Sequence, residues 1–192
     1  MTVEQDARQV SVKVALAGAA DTGKLAMLRA IAARFSTATV REHPVGSLRV
    51  HRVEWTESQT LPDGRFLNVA VHSLTGEAEY NAAEELLLRA VAGIVFVVDV
   101  DPAKFQATWD SLMRLSDNTK RNGYDLHSVG LAIQYHRADL HPEVDPARLD
   151  QRLGVPPGII PRFVSSSRTP DAEGLAFDSV LSQIRQRLSK KA

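Results

Sequence analysis

Residues 93–99 read Gly-Ile-Val-Phe-Val-Val-Asp, five apolar side chains in succession. Successive residues of a strand point to opposite faces of the sheet, so such a run is apolar throughout only when both faces are covered. It calls for a parallel strand inside a sheet flanked by helices on both sides. Residues 129–135 make the same demand. Around these two, further strand patterns fall at 12–17, 47–55, 65–72 and 162–164, and helical patterns at 24–35, 79–91, 102–121, 145–153 and 173–188. Pro62-Asp63-Gly64 is a turn signal that joins 47–55 to 65–72 as an antiparallel hairpin. The expected fold is an α/β three-layer sandwich, with about six strands in a mostly parallel sheet, one antiparallel edge strand and helices on both faces. A chain of 192 residues suits one such domain over 11–188, with 1–10 expected to be disordered and 189–192 frayed. The stretch 36–46 has weak periodicity and holds Pro44 and Gly46, so it is expected to be a mobile surface loop.

Charge and composition narrow the function. Lysine plus arginine number 23 and aspartate plus glutamate number 23, so the formal charge is zero and no polybasic footprint for nucleic acid or membrane is expected. The absence of cysteine excludes disulfides, thiolate metal sites and cysteine nucleophiles. No apolar run approaches the ~20 residues of a membrane span. The opening Met1-Thr2-Val3-Glu4-Gln5-Asp6 has no basic flank followed by an apolar core, so the expected location is cytoplasmic. The six histidines make no paired zinc spacing, and no G-x-S-x-G elbow occurs. Arg148, Arg152, Arg162, Arg185 and Arg187 read as a solvated face; Asp99 and Asp101 end a buried strand at the edge where ligands bind in such sheets, and read as turn formers before Pro102 in preference to catalytic groups. Trp55 and Trp109 fit a core role or a partner contact equally.

One motif carries chemistry. Gly18-Ala19-Ala20-Asp21-Thr22-Gly23-Lys24 matches G-x-x-x-x-G-K between the first strand and the first helix. Glycines let such a loop curl so that backbone N–H groups converge on a phosphate, a helix N-terminus adds positive potential, and the lysine reaches the outer phosphates. The following position takes serine or threonine where a hydroxyl ligates magnesium; here it is Leu25, and Ala26 after it offers no oxygen either. Asp21 brings a carboxylate close to the phosphates unless it points outward. Leu25 reads either as packing with water in the metal position or as loss of magnesium-dependent binding.

The later chain holds Tyr80-Asn81-Ala82, Leu86-Leu87-Leu88-Arg89, the strand from Gly93 to Asp99, Gly123-Tyr124-Asp125-Leu126, Ile133-Gln134-Tyr135 and Asp139-Leu140. In these residues it resembles the MglA-like family of small Ras-like bacterial GTPases. The resemblance implies a Ras-like P-loop fold, GTP or GDP, Mg2+, a polarity or motility role, and a roadblock (MglB-like) regulator as partner. It places the phosphate site at Gly18, Ala20, Asp21, Thr22, Gly23, Lys24, Leu25 and Gly76, the last as the glycine whose amide senses the γ-phosphate. Glu77 then stands where the family has the water-orienting glutamine, Ser47 at the magnesium-ligating threonine, and Gly46 at the catalytic arginine. Asp139 matches the aspartate that reads guanine, with Arg137 at the stacking lysine and His136 at the bracing asparagine. Ser166, Ser167 and Arg168 match the last guanine motif.

Two functions follow. One is a guanine-nucleotide switch with slow, partner-aided hydrolysis. The other is a pseudo-GTPase, an interaction module that has lost turnover, motivated by Leu25, Gly46, Glu77 and His136. A different phosphate-loop enzyme, such as a small kinase, is a distant third.

Overall fold

The computed structural model of the chain describes residues 8–45, 48–75, 81–156, 158–165, 172 and 174–190. Its elements are β1 (Gln9–Ala17), α1 (Lys24–Ala33), β2 (Arg41–Val45), β3 (Leu48–Thr60), β4 (Phe66–Thr75), α2 (Asn81–Leu88), β5 (Gly93–Asp99), a 3-10 turn (Pro102–Lys104), α3 (Phe105–Arg121), a second such turn (Leu126–Ser128), β6 (Gly130–His136), α4 (Pro146–Arg152), β7 (Arg162–Val164) and α5 (Leu175–Ser189). Among the described residues the strands form one seven-stranded sheet in the order β2-β3-β4-β1-β5-β6-β7. β1 runs parallel to β4 and β5, β5 to β6, and β6 to β7, while β3 is antiparallel to both β2 and β4.

The α/β sandwich expected from the two doubly apolar strands is present. β5 and β6 are buried at every position. Val95 and Val97 face one core, with Met27, Leu28 and Ile31 of α1 and Phe177, Val180 and Ile184 of α5. Ile94, Phe96 and Val98 face the other, with Leu87 and Leu88 of α2, Leu115 of α3 and Leu149 of α4. β3 and β4 alternate instead: Val53, Trp55, Leu67, Val69 and Val71 enter the first core, and their neighbours point away from it.

Three expectations need correction. The sheet has seven strands rather than six, because β2 occupies part of the stretch read as a loop. Pro44 has no N–H to donate, but an edge strand uses only one of its two sides, and Arg41↔Arg52 through Val45↔Leu48 pair in an unbroken register. The antiparallel strand β3 is consequently internal. The helix expected from 102 starts as a 3-10 turn, where Pro102 follows a capping Asp101, and becomes α-helical at Phe105. The arginines read as a solvated face are mostly engaged. Arg162 pairs with Asp150, which also accepts the Tyr135 hydroxyl, and Arg185 pairs with Glu57. The Arg152 guanidinium lies 3.6 Å from the centre of the Phe105 ring, and Arg187 donates to the Ser128 carbonyl at 2.7 Å.

The structure also decides the role of Trp55. It is 4% exposed, stacks on Phe35 with ring centres 4.1 Å apart, and meets the edge of Phe177 at 5.7 Å. That is a core contact, not a partner surface.

His72 on β4 lies beside Arg52 of β3 in register and is partly buried. Burial first, then the charges of Arg52 and Lys13, push its pKa down to about 4. An unfolded histidine takes its proton near pH 6.5, so between these values the unfolded chain binds a proton that the folded chain refuses. Stability present at neutral pH is therefore lost as the pH falls. Denaturant unfolding is expected to show about 2 kcal/mol less stability at pH 5 than at pH 7 from this residue. In His72→Gln that component should vanish; an unchanged pH slope would remove His72 as its source.

Candidate functional site

The phosphate loop leaves the C-terminal end of β1 and ends in α1, whose first-turn N–H groups open towards it. Gly18 (φ 140°) and Gly23 (φ 92°) hold backbone angles that L side chains avoid, and Asp21 is left-handed at φ 55°. Both glycines are also close approaches. A Cβ on Gly18 would stand 2.3 Å from the Val97 carbonyl oxygen of β5, and one on Gly23 would stand 2.4 Å from the His136 ring of β6. The loop is thus seated on the ends of two strands far away in sequence. Asp21 is exposed, and its charge acts on Lys24.

Lys24 is 7% exposed, which is unusual for lysine. Its Nζ donates to the Gly18 carbonyl at 2.8 Å, to the Ala19 carbonyl and, at 3.5 Å, to Thr22 Oγ1. The buried Thr22 hydroxyl donates in turn to the Ala19 carbonyl at 3.1 Å. Burial pushes the Lys24 pKa down to about 8, against the charges of Glu84 and Asp21. Glu84 comes from α2 and was not singled out in the sequence. Its carboxylate is 3.7 Å from Arg114 Nε and accepts from Asn118 Nδ2 at 3.5 Å, and burial pushes its pKa up.

The other wall is the end of β6. His136 is buried against Gly23, and its Nδ1 lies 3.3 Å from Ser165 Oγ just past β7. Ser165 also donates its N–H to the Tyr135 carbonyl at 2.8 Å and accepts from Ala138 N at 3.2 Å, which pins the two strand ends together. Burial, then the Arg137 charge, push the His136 pKa down, so the ring is neutral at neutral pH. Arg137 takes a left-handed φ of 63° and donates from Nη1 to Asp99 Oδ2 at 2.8 Å. Lys104 Nζ donates to the same oxygen at 3.0 Å, and Asp101 N to Asp99 Oδ1 at 3.1 Å. Burial raises the Asp99 pKa, but the Asp101 amide and the two cations outweigh it and hold the carboxyl below the usual range. Asp139 is partly buried two residues beyond Arg137.

The structure therefore brings Gly18, Ala20, Asp21, Thr22, Gly23, Lys24 and Leu25 together with His136, Arg137 and Asp139 along the C-terminal edge of the sheet, where open α/β sheets bind ligands. Gly46, Ser47, Gly76, Glu77, Ser166, Ser167 and Arg168 lie outside the described residues. A nucleotide's phosphates suit the loop, whose concavity depends on glycines that a Cβ would block. Leu25 and Ala26 offer no side-chain oxygen to a magnesium ion, and among the described residues no three His, Asp or Glu side chains converge as a metal site.

Sheet order, phosphate loop and strand-end residues define a phosphate-loop α/β protein of Ras-like arrangement. A stretch of 70 residues, 36% of this chain, is 36% identical to the mutual gliding-motility protein MglA of Myxococcus xanthus (strain DK1622). The match spans 36% of that protein's length, which supports a small GTPase-like relationship over about a third of each chain. No protein-family model matches the chain.

Proposed function

We propose that this chain binds a guanine nucleotide at the β1–α1 loop and acts as a Ras-like, partner-directed switch with impaired magnesium-dependent hydrolysis. The buried Lys24 ammonium, enclosed by a loop whose positive φ angles only glycine adopts readily, carries the reading. On binding, Lys24 would exchange the carbonyls of Gly18 and Ala19 for phosphate oxygens, and the loop N–H groups would take the remaining phosphate charge. Asp139 would accept from the guanine N1–H and 2-amino groups, a bidentate contact that adenine cannot make. Leu25, with no side-chain oxygen for a metal, would impair hydrolysis. The name of the Myxococcus relative points to gliding motility, so cell polarity or gliding and pilus motility is the proposed process, with a roadblock-type regulator as the proposed partner.

A nucleotide-free pseudo-GTPase is the second reading. It is favoured by the same lysine, whose bonding capacity the loop itself already takes up.

Titration of nucleotide-stripped protein with fluorescent GDP, GTP and ATP, in magnesium and in EDTA, separates the two. The expected result is guanine-selective binding that EDTA changes little, weakened at least about tenfold by Asp139→Ala, as loss of hydrogen bonds to a charged acceptor requires. No binding at high micromolar nucleotide would overturn the switch in favour of the interaction module.

A further inference from the structure

We propose that Asp99 is a positioning residue of the purine site, holding the Arg137 guanidinium so that Arg137 presents a fixed side-chain geometry between His136 and Asp139. The inference rests on the guanine-nucleotide reading above and deepens it.

Placement comes first. Asp99 is the last residue of β5 and pairs in register with His136 of β6. Two residues earlier on the same strand, the Val97 carbonyl touches the phosphate loop at Gly18. Asp99 therefore stands where the phosphate loop and the base-reading strand end meet.

Its bonding is complete and specific. The side chain is 1% exposed and accepts from the Asp101 amide, the Lys104 ammonium and the Arg137 guanidinium. A carboxylate this buried persists only with such partners. Turn formation alone would need only the Asp101 N–H. The two cations, reaching it from the 3-10 turn and from the far end of β6, are more than a turn requires.

Arg137 shows the other half of the device. Its φ of 63° is costly for a residue other than glycine, and such a conformation persists where its surroundings over-determine it. The Asp99 bond supplies that constraint across 38 residues of sequence. An arginine side chain left free would lose rotamers on ordering against a ligand, and anchoring the head in advance removes that cost from binding. With the head held by Asp99, the aliphatic stem is the part left to lie against a purine.

The test is a double-mutant cycle read by fluorescent GDP affinity, with thermal unfolding of each variant as the check on folding. Asp99→Asn keeps an acceptor for the Asp101 amide but gives up the charge. Arg137→Met keeps the stem but gives up the anchor. Each is expected to weaken GDP binding about tenfold, and the double variant no more than either alone, because both remove one coupled unit. Arg137→Lys, which restores a cation, should recover most of the Arg137→Met loss; a purely structural role would not show that recovery in affinity. If Asp99→Asn does not fold, Arg137→Met against Arg137→Lys carries the test. The proposal is overturned if Arg137→Met binds GDP as the wild type does, or if the two single effects multiply in the double variant. A wild type that takes no GDP overturns the guanine reading itself and the proposal with it, an outcome distinct from both.

Discussion

Gly18→Ala is expected to destabilise the protein by about 3 kcal/mol or more, and to abolish nucleotide binding with it. At a φ of 140° no L side chain is comfortable, and the new Cβ would meet the Val97 carbonyl oxygen at 2.3 Å and the carbonyl carbon at 3.2 Å. Neither atom can retreat. Val97 lies near the C-terminal end of β5, just past the last residue paired with β1, and is held in register with Gln134 of β6. The loop must lift away from the strand, and the concavity that faces a phosphate opens. For a chain of this size the melting temperature should fall by about 10 °C. Gly23→Ala is the instructive contrast. There the obstacle is the His136 ring at 2.4 Å, a side chain, so His136→Ala should recover part of the loss. No comparable partner substitution rescues Gly18→Ala. A Gly18→Ala protein that melts with the wild type would show that the loop is not seated on β5.

Lys24→Met should lower the affinity for GDP at least about a hundredfold, since two charge-assisted hydrogen bonds to phosphate are worth about 1.5–3 kcal/mol each. The fold should survive. With its pKa lowered to about 8, Lys24 holds its proton less readily in the folded chain than in the unfolded one. Its charge therefore opposes folding below about pH 8, and that opposition is relieved as the pH rises from there towards 10.5, the ordinary lysine value. Methionine removes the buried charge along with the bonds. Binding of a phosphate should draw the lysine back to its charged form. At pH 8, where about half of the free protein has lost this proton, GDP binding should take up about half a proton, read by calorimetry in two buffers of different ionisation heat. An affinity within threefold of wild type in Lys24→Met would mean that the lysine stays with the Gly18 and Ala19 carbonyls and contacts no phosphate.

The candidate site was legible to different depths. The phosphate loop stood out because its function depends on backbone conformation, and only glycine supplies that conformation. His136, Arg137 and Asp139 were placed by resemblance, and the structure adds what they touch: Gly23 for His136, Asp99 for Arg137. Asp99 itself looked like a turn former, and it is one, since Asp101 N donates to it. Its second use, as the anchor of Arg137, was invisible because nothing local marks a partner 38 residues away. Glu84 was missed for the same reason. A glutamate on an amphipathic helix is ordinary until that helix is placed beside the phosphate loop.

What this sequence determined by itself is whatever depends on a few consecutive residues. Five apolar side chains in a row require two covered faces, hence a sheet between helices; Gly18 and Gly23 allow a loop that other residues forbid. Tertiary structure alone decided that 41–45 pairs as an edge strand, that Trp55 turns inward, that Lys24 is buried among carbonyls, and that one carboxylate holds two cations. The physical reason is range. Periodicity and backbone preference act over one or two turns of chain, whereas the meeting of β1, β5 and β6 at one edge follows from strand order, set by the packing of both cores at once.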